Sequence, residues 1–121
     1  MEAVDAFLER FGVDGRRVLD VGCGDGGLRD HLEANHPGFL SYLGVDSADA
    51  IARARRAHPD AHRDFAVRDV AAAPFPPGTF DLVVSLGGSG PPIADLAQMA
   101  TVAALRTAAD GTAESATGGS R

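Results

Sequence analysis

The sequence predicts an α/β fold, a parallel sheet of about four strands with helices on both faces. Three observations predict it. Short runs rich in Val and Leu alternate along the chain with segments of helical periodicity. Each run ends in glycine, aspartate or serine, the residues that turn a chain out of a sheet. The longest glycine cluster, from Gly22 to Gly27, lies between a strand pattern and a helix pattern. Parallel pairing needs a crossover between strands, and the intervening helices supply right-handed ones.

The elements follow in order. Val4, Phe7, Leu8 and Phe11 repeat as the stripe of an amphipathic helix, which Gly12 can stop. Arg17 to Val21 reads as a short buried strand. Leu28 and Leu32 lie one turn apart on a second helix, expected to end near Asn35, before His36-Pro37. Tyr42 to Asp46 is the next strand, and Ser47 can cap a helix that Pro59 ends. Arg53, Arg55 and Arg56 suit the negative end of that helix dipole and otherwise read as a solvated face. Asp64 to Asp69 is a third strand and Phe80 to Leu86 a fourth, with a turn at 87–90. Pro91-Pro92 introduce a helix with Ile93, Leu96, Ala100 and Ala103 on one face, expected to run to Arg106. Residues 107–121 are Ala, Thr, Gly and Ser with little else, and read as a disordered low-complexity tail. The 121 residues thus divide into one domain over 1–106 and that tail.

Composition excludes several functions. All 11 basic residues are arginine, so a lysine Schiff base and the lysine-dependent phosphate loop are absent. The net charge of −6 argues against a nucleic-acid surface. A single cysteine excludes a disulfide framework or a Cys-rich zinc site. His31, His36, His58 and His62 form no recognisable ligand set, because Pro59 breaks the helix that would align the last two, and no metal is expected. An acidic N-terminus and the lack of a long apolar run predict a cytoplasmic setting without membrane contact.

In a parallel sheet, ligands bind beyond the carboxyl ends of the strands, where strand order reverses. Gly22-Cys23-Gly24-Asp25-Gly26-Gly27 fits Gly-x-Gly-x-x-Gly between a strand and a helix. Its glycines allow close approach of a ligand, and the helix start offers free N–H groups; an ordinary tight turn uses glycine too. Asp46 falls 22 positions after Gly24 at a strand end, where it can accept hydrogen bonds from two ribose hydroxyls or cap a helix. Asp20 separates two cofactors. A carboxylate two residues before the first glycine would repel a pyrophosphate, but would attract a ligand bearing an ammonium and a sulfonium.

Four segments carry a resemblance. Val18-Leu19-Asp20-Val21-Gly22-Cys23-Gly24-Asp25-Gly26 resembles the first motif of class I S-adenosylmethionine-dependent methyltransferases. Gly44 to Ser47, Val67 to Val70 and Gly78 to Ser85 resemble the second, third and fourth, in the same order and spacing, over residues 15–90. The resemblance implies a Rossmann-like fold and S-adenosylmethionine as cofactor, with methyl transfer to a small-molecule acceptor. Asp20, Gly22, Cys23 and Gly24 would line the methionine part, and Asp46 would hold the ribose beside Ser47 at the adenine. Asp69 would take the adenine amino group and the Val70 N–H a ring nitrogen, while Ser85 and the loop after it would face the methyl group. No general base is assigned.

The family sheet has seven strands, and only four are expected here. Thr112 to Arg121 has no apolar residue larger than alanine and cannot form a buried strand. The fourth strand would then be an exposed edge, inviting a homodimer or a partner chain. A non-catalytic cofactor-binding fragment or partner subunit, and a nicotinamide-dependent (NAD) oxidoreductase fragment, are the alternative readings.

Overall fold

The computed structural model describes residues 1–88 and 90–119, and among them strands and helices alternate as far as the third strand. There are six strands and four α-helices in all, with no helix between the third and fourth strands or between the fifth and sixth. Ser89 in the expected turn, and Ser120 and Arg121 of the expected tail, lie outside the described residues. Helix α1 (Glu2–Phe11) buries Val4, Phe7 and Leu8, and Gly12 turns the chain away at φ 80. Strand β1 (Arg17–Val21) leads into α2 (Gly27–Asn35), and β2 (Ser41–Asp46) into α3 (Ala48–Ala57), capped by Ser47. Next come β3 (Phe65–Val67), β4 (Phe80–Ser85), α4 (Ile93–Gln98), β5 (Ala100–Thr107) and β6 (Ala113–Thr117).

The sheet order is β3-β2-β1-β4-β5-β6. The first five strands pair in parallel, and β6 pairs with β5 in antiparallel. On one face, Phe7 and Leu8 of α1, Leu28 and Leu32 of α2 and Ile51 of α3 pack on Val18, Leu82, Val84 and Leu105. On the other, Leu96 and Ala97 of α4 cover Leu19, Val83 and Ala104. The expected α/β Rossmann-like arrangement with helices on both faces is present.

The strand count is corrected from about four to six. The spacing of Leu96, Ala100 and Ala103 fits a helix, but the helix ends at Gln98 and, after Met99, eight residues form a strand. The apolar side of β4 is the reason: Leu82, Val83 and Val84 are fully buried between β1 and β5, and that pairing outweighs alanine's weak strand preference. Ala100, Ala103 and Ala104 are themselves fully buried.

Residues 113–117, expected in a tail, form the outer strand. Their composition excludes a buried strand, and β6 is not one: four of its five residues are exposed. The reversal before it is locked at Asp110, whose carboxylate accepts from the Thr112 N–H at 3.0 Å and hydroxyl at 2.8 Å. Consequently β4 is an interior strand, and the expected docking of a partner along it is closed off. The sheet edges are β3 and β6.

Asp81 fastens the amino ends of three strands. Its carboxylate accepts from the Arg17 main-chain N–H at 2.8 Å, from that guanidinium at 2.9 and 3.1 Å, and from the Thr101 hydroxyl at 2.8 Å. Arg17 holds the carboxyl below the usual carboxylate range. Asp81→Asn should therefore cost about 1.5–3 kcal/mol at pH 7 in urea unfolding. A depressed folded pKa stabilises above the unfolded value and loses that effect as pH falls. The deficit should be complete at neutral pH and should shrink below about pH 4; an unchanged deficit at low pH would contradict this account.

Candidate functional site

Strand order reverses between β1 and β4, so the carboxyl ends of β1, β2 and β3 open onto one cleft. Its cavity, of about 370 Å³, is lined by Val21, Gly22, Val45, Asp46, Ser47 and Val67 to Ala71, and closed by Gly90 and Pro91. Gly22 and Gly24 adopt φ +75 and +58, and a Cβ built on either would meet nothing within 4 Å. The loop is thus both turned by its glycines and open to a ligand.

The loop is clamped to β2. The Gly22 and Cys23 N–H groups donate to the Val45 carbonyl at 2.9 and 3.1 Å. Asp46 Oδ2 accepts from the Gly24 N–H at 2.9 Å, and Oδ1 from the Ser47 N–H at 2.7 Å. A carboxylate has about four acceptor positions, so each oxygen keeps capacity after these bonds. Ser47 Oγ accepts from the Ala50 N–H at 3.4 Å, which makes it the cap of α3 as well as cleft wall.

Asp69 sits after β3 in a turn: its Oδ1 accepts from the Ala71 N–H at 3.0 Å, and its carbonyl from Ala72 and Ala73. Val70 is buried beside it. Arg68 holds the segment that follows by donating to the Ala73 and Pro74 carbonyls while lying 3.7 Å over the Phe75 ring.

Five of the expected site residues therefore share the cavity wall: Gly22, Asp46, Ser47, Asp69 and Val70. Four others do not line it. Gly24 meets the cleft through its bond to Asp46. Ser85 is buried at the end of β4, paired in register with Val21. Cys23 is buried, its Sγ 3.6 Å from the Gly24 carbonyl. Burial, with Asp20 and Asp46 nearby, pushes its thiol up to about 12, so it is no nucleophile at neutral pH.

Asp20 is 2% exposed and points into the face covered by α1, α2 and α3. The Tyr42 hydroxyl donates to its Oδ2 at 2.6 Å. Burial raises its pKa to about 7, against the opposing Tyr42 bond and with help from the Asp46 charge. Gly44 makes the pairing fit, since a Cβ there would lie 2.6 Å from the Tyr42 hydroxyl and 2.8 Å from the Cys23 Sγ. Tyr42 escapes a reading based on strand ends alone. The signal for it is register: Asp20 pairs with Gly44, and Tyr42 shares the Gly44 face two residues earlier.

Residues 18–111 match the profile of a methyltransferase domain. The chain belongs to this methyltransferase family. Its match to the fatty-acid O-methyltransferase of Mycolicibacterium smegmatis is 39% identical over 78 residues, covering 64% of this chain and 28% of that protein. Its match to the 2-methyl-6-phytyl-1,4-hydroquinone methyltransferase of Synechocystis is 33% identical over 104 residues, covering 83% and 32%. The domain thus spans less than a third of the length of these curated relatives. The crystal structure of an S-adenosylmethionine-dependent methyltransferase from Mesorhizobium loti superposes with a TM-score of 0.68 at 25% identity, covering 96% of this chain and 63% of that one. The methyltransferase resemblance read from the four motifs is borne out. No helix among the described residues is long and apolar enough to cross a membrane.

Proposed function

We propose that this methyltransferase domain binds S-adenosylmethionine in the cleft and serves methyl transfer to a small-molecule acceptor. The observation that carries the reading is Asp46, a carboxylate at a strand end that lines the cavity with acceptor capacity left on both oxygens. A ribose diol needs such an acceptor. The open glycine loop at Gly22 and Gly24 leaves room for the methionine chain, with Cys23 supplying backbone between them. Ser47 flanks the adenine end, Asp69 takes the exocyclic amine, and the Val70 N–H a ring nitrogen. Ser85 and the loop beyond it stand nearest the transferred methyl. Asp20 lies beneath the loop, where its ionised form, present above about pH 7, favours a cationic amino-acid end. All these residues fall within 1–106.

The bound cofactor supplies an electrophilic methyl on sulfur, so the protein's task is to position the two partners and exclude water. The relatives named for a fatty acid and a hydroquinone support a small acceptor. Calorimetry on the full chain should give binding of S-adenosylmethionine and S-adenosylhomocysteine and none of NAD. Binding of NAD with neither sulfur compound would overturn the reading. Binding of the sulfur compounds without turnover of any fatty-acid or hydroquinone acceptor would leave a cofactor module and remove the transferase part.

A further inference from the structure

Away from the cleft, three side chains from two helices meet at one point. Asp5 lies on α1, His31 on α2, and His36 caps the end of α2. The Nε2 atoms of His31 and His36 lie 2.6 and 2.8 Å from the same oxygen, Asp5 Oδ1. One donor atom from each residue can be chosen so that all three lie within 4.8 Å of one another. None of the three lines the cleft cavity. We propose that Asp5, His31 and His36 form a binding site for a divalent transition-metal ion, of which zinc is the type.

The donor set selects the metal. Two imidazole nitrogens and one carboxylate oxygen suit Zn²⁺, Co²⁺ or Ni²⁺, whereas Mg²⁺ and Ca²⁺ prefer oxygen throughout. Bonds to zinc of about 2.0–2.1 Å place tetrahedral ligand atoms about 3.3 Å apart. The two nitrogen-to-oxygen separations are those of hydrogen bonds, so each imidazole need move only about half an ångström from the Asp5 oxygen to admit an ion between them. The side chains are 15–37% exposed, so the ion can enter from solvent and keep water in its remaining positions.

The proton inventory is consistent with exchange. Without metal, the Asp5 carboxylate can only accept, so it calls for the tautomer with Nε2–H on each ring, which leaves His31 Nδ1 to accept from Asn35 Nδ2 at 3.2 Å. With metal, Nε2 must be bare and the proton moves to Nδ1. A metal-bound imidazole needs an outer partner for that N–H, and the Asn35 amide 3.2 Å away can offer its oxygen only by giving up the bond its Nδ2 makes to the His31 carbonyl at 3.1 Å. The ion would tie the N-terminal helix to the far end of α2. It would act as a structural clip and take no part in chemistry at the cleft.

Titration of the full chain with ZnCl₂ should show one equivalent bound with micromolar affinity and a rise in melting temperature. His31→Ala/His36→Ala should weaken binding at least about tenfold and abolish the rise, while His62→Ala should leave both unchanged. Should the double variant fail to fold, long-range ¹H–¹⁵N spectra of the unaltered protein still decide. Zinc should shift the Nε2 resonances of His31 and His36 and spare those of His58 and His62. Absence of binding, retention of full affinity in the double variant, or shifts confined to His58 and His62 would each overturn the proposal.

Discussion

Asp46→Ala should weaken S-adenosylhomocysteine binding about 10- to 150-fold, equivalent to about 1.5–3 kcal/mol of charge-assisted hydrogen bonding. The effect is expected to be large because the carboxylate has two tasks. It fixes the glycine loop through the Gly24 N–H and offers its remaining acceptor positions to the cleft. Asp46→Asn keeps only part of both tasks. The amide can keep its oxygen on Gly24 but sets an NH₂ against the Ser47 N–H where the second oxygen stood, so it should lose affinity and also lower the unliganded melting temperature. Calorimetry beside thermal unfolding reads both quantities. A change under about twofold in either variant, with the fold intact, would remove Asp46 from the binding account. The loss alone would not choose between cofactors, since a nicotinamide dinucleotide uses its ribose in the same way.

Asp20→Asn is expected to raise stability and lower affinity together. Burial takes the folded carboxyl to about 7, from 3.8 in an unperturbed chain. Between those values the folded state binds more protons than the unfolded one, so wild-type stability falls as pH rises from about 4 to 7 and then levels. Asparagine has no such titration and can still accept from the Tyr42 hydroxyl. Relative to wild type, the variant should therefore gain stability between pH 4 and pH 8, by up to about 4 kcal/mol at 1.36 kcal/mol per pKa unit. Urea unfolding at the two pH values measures the gain. Affinity should move the other way, because the negative charge beneath the ligand's ammonium is gone. An identical stability difference at both pH values would mean that Asp20 does not titrate in this range. Affinity equal to wild type would remove the charge from cofactor selection.

The first four strands and first three helices are legible because local and tertiary preferences agree there. Val18-Leu19, Leu82-Val83-Val84 and the glycine and aspartate turns after them point to the same structure. Strand β5 is not legible, because its alanines carry a helical spacing and become a strand only where β4 needs a neighbour. Strand β6 is hidden differently: an outer strand with exposed side chains leaves no apolar run. The places of Asp46, Ser47, Asp69 and Val70 on the cleft wall are legible because lying at or just past a strand's carboxyl end is a property of position along the chain. The inward placement of Asp20 and Cys23 depends on register and on Tyr42 reaching across Gly44. The Asp5, His31 and His36 cluster requires α1 to lie on α2, and no spacing within either helix announces it.

The sheet order has a kinetic consequence. Each β-strand and its crossover form over short stretches of chain, and β5 and β6 close through a tight reversal at Asp110 to Thr112. The central seam is different, since Arg17 and Asp81 meet across 64 positions. Closing so long a loop carries a larger entropic barrier than the local steps do. The β3-β2-β1 and β4-β5-β6 halves can therefore organise before they dock. The candidate cleft is walled by the β3-β2-β1 half and closed by Gly90 and Pro91 beyond β4, so it is completed only at docking. A ligand that needs both halves stabilises what forms after the barrier, so its effect belongs mainly to the rate of unfolding, and hardly to that of folding.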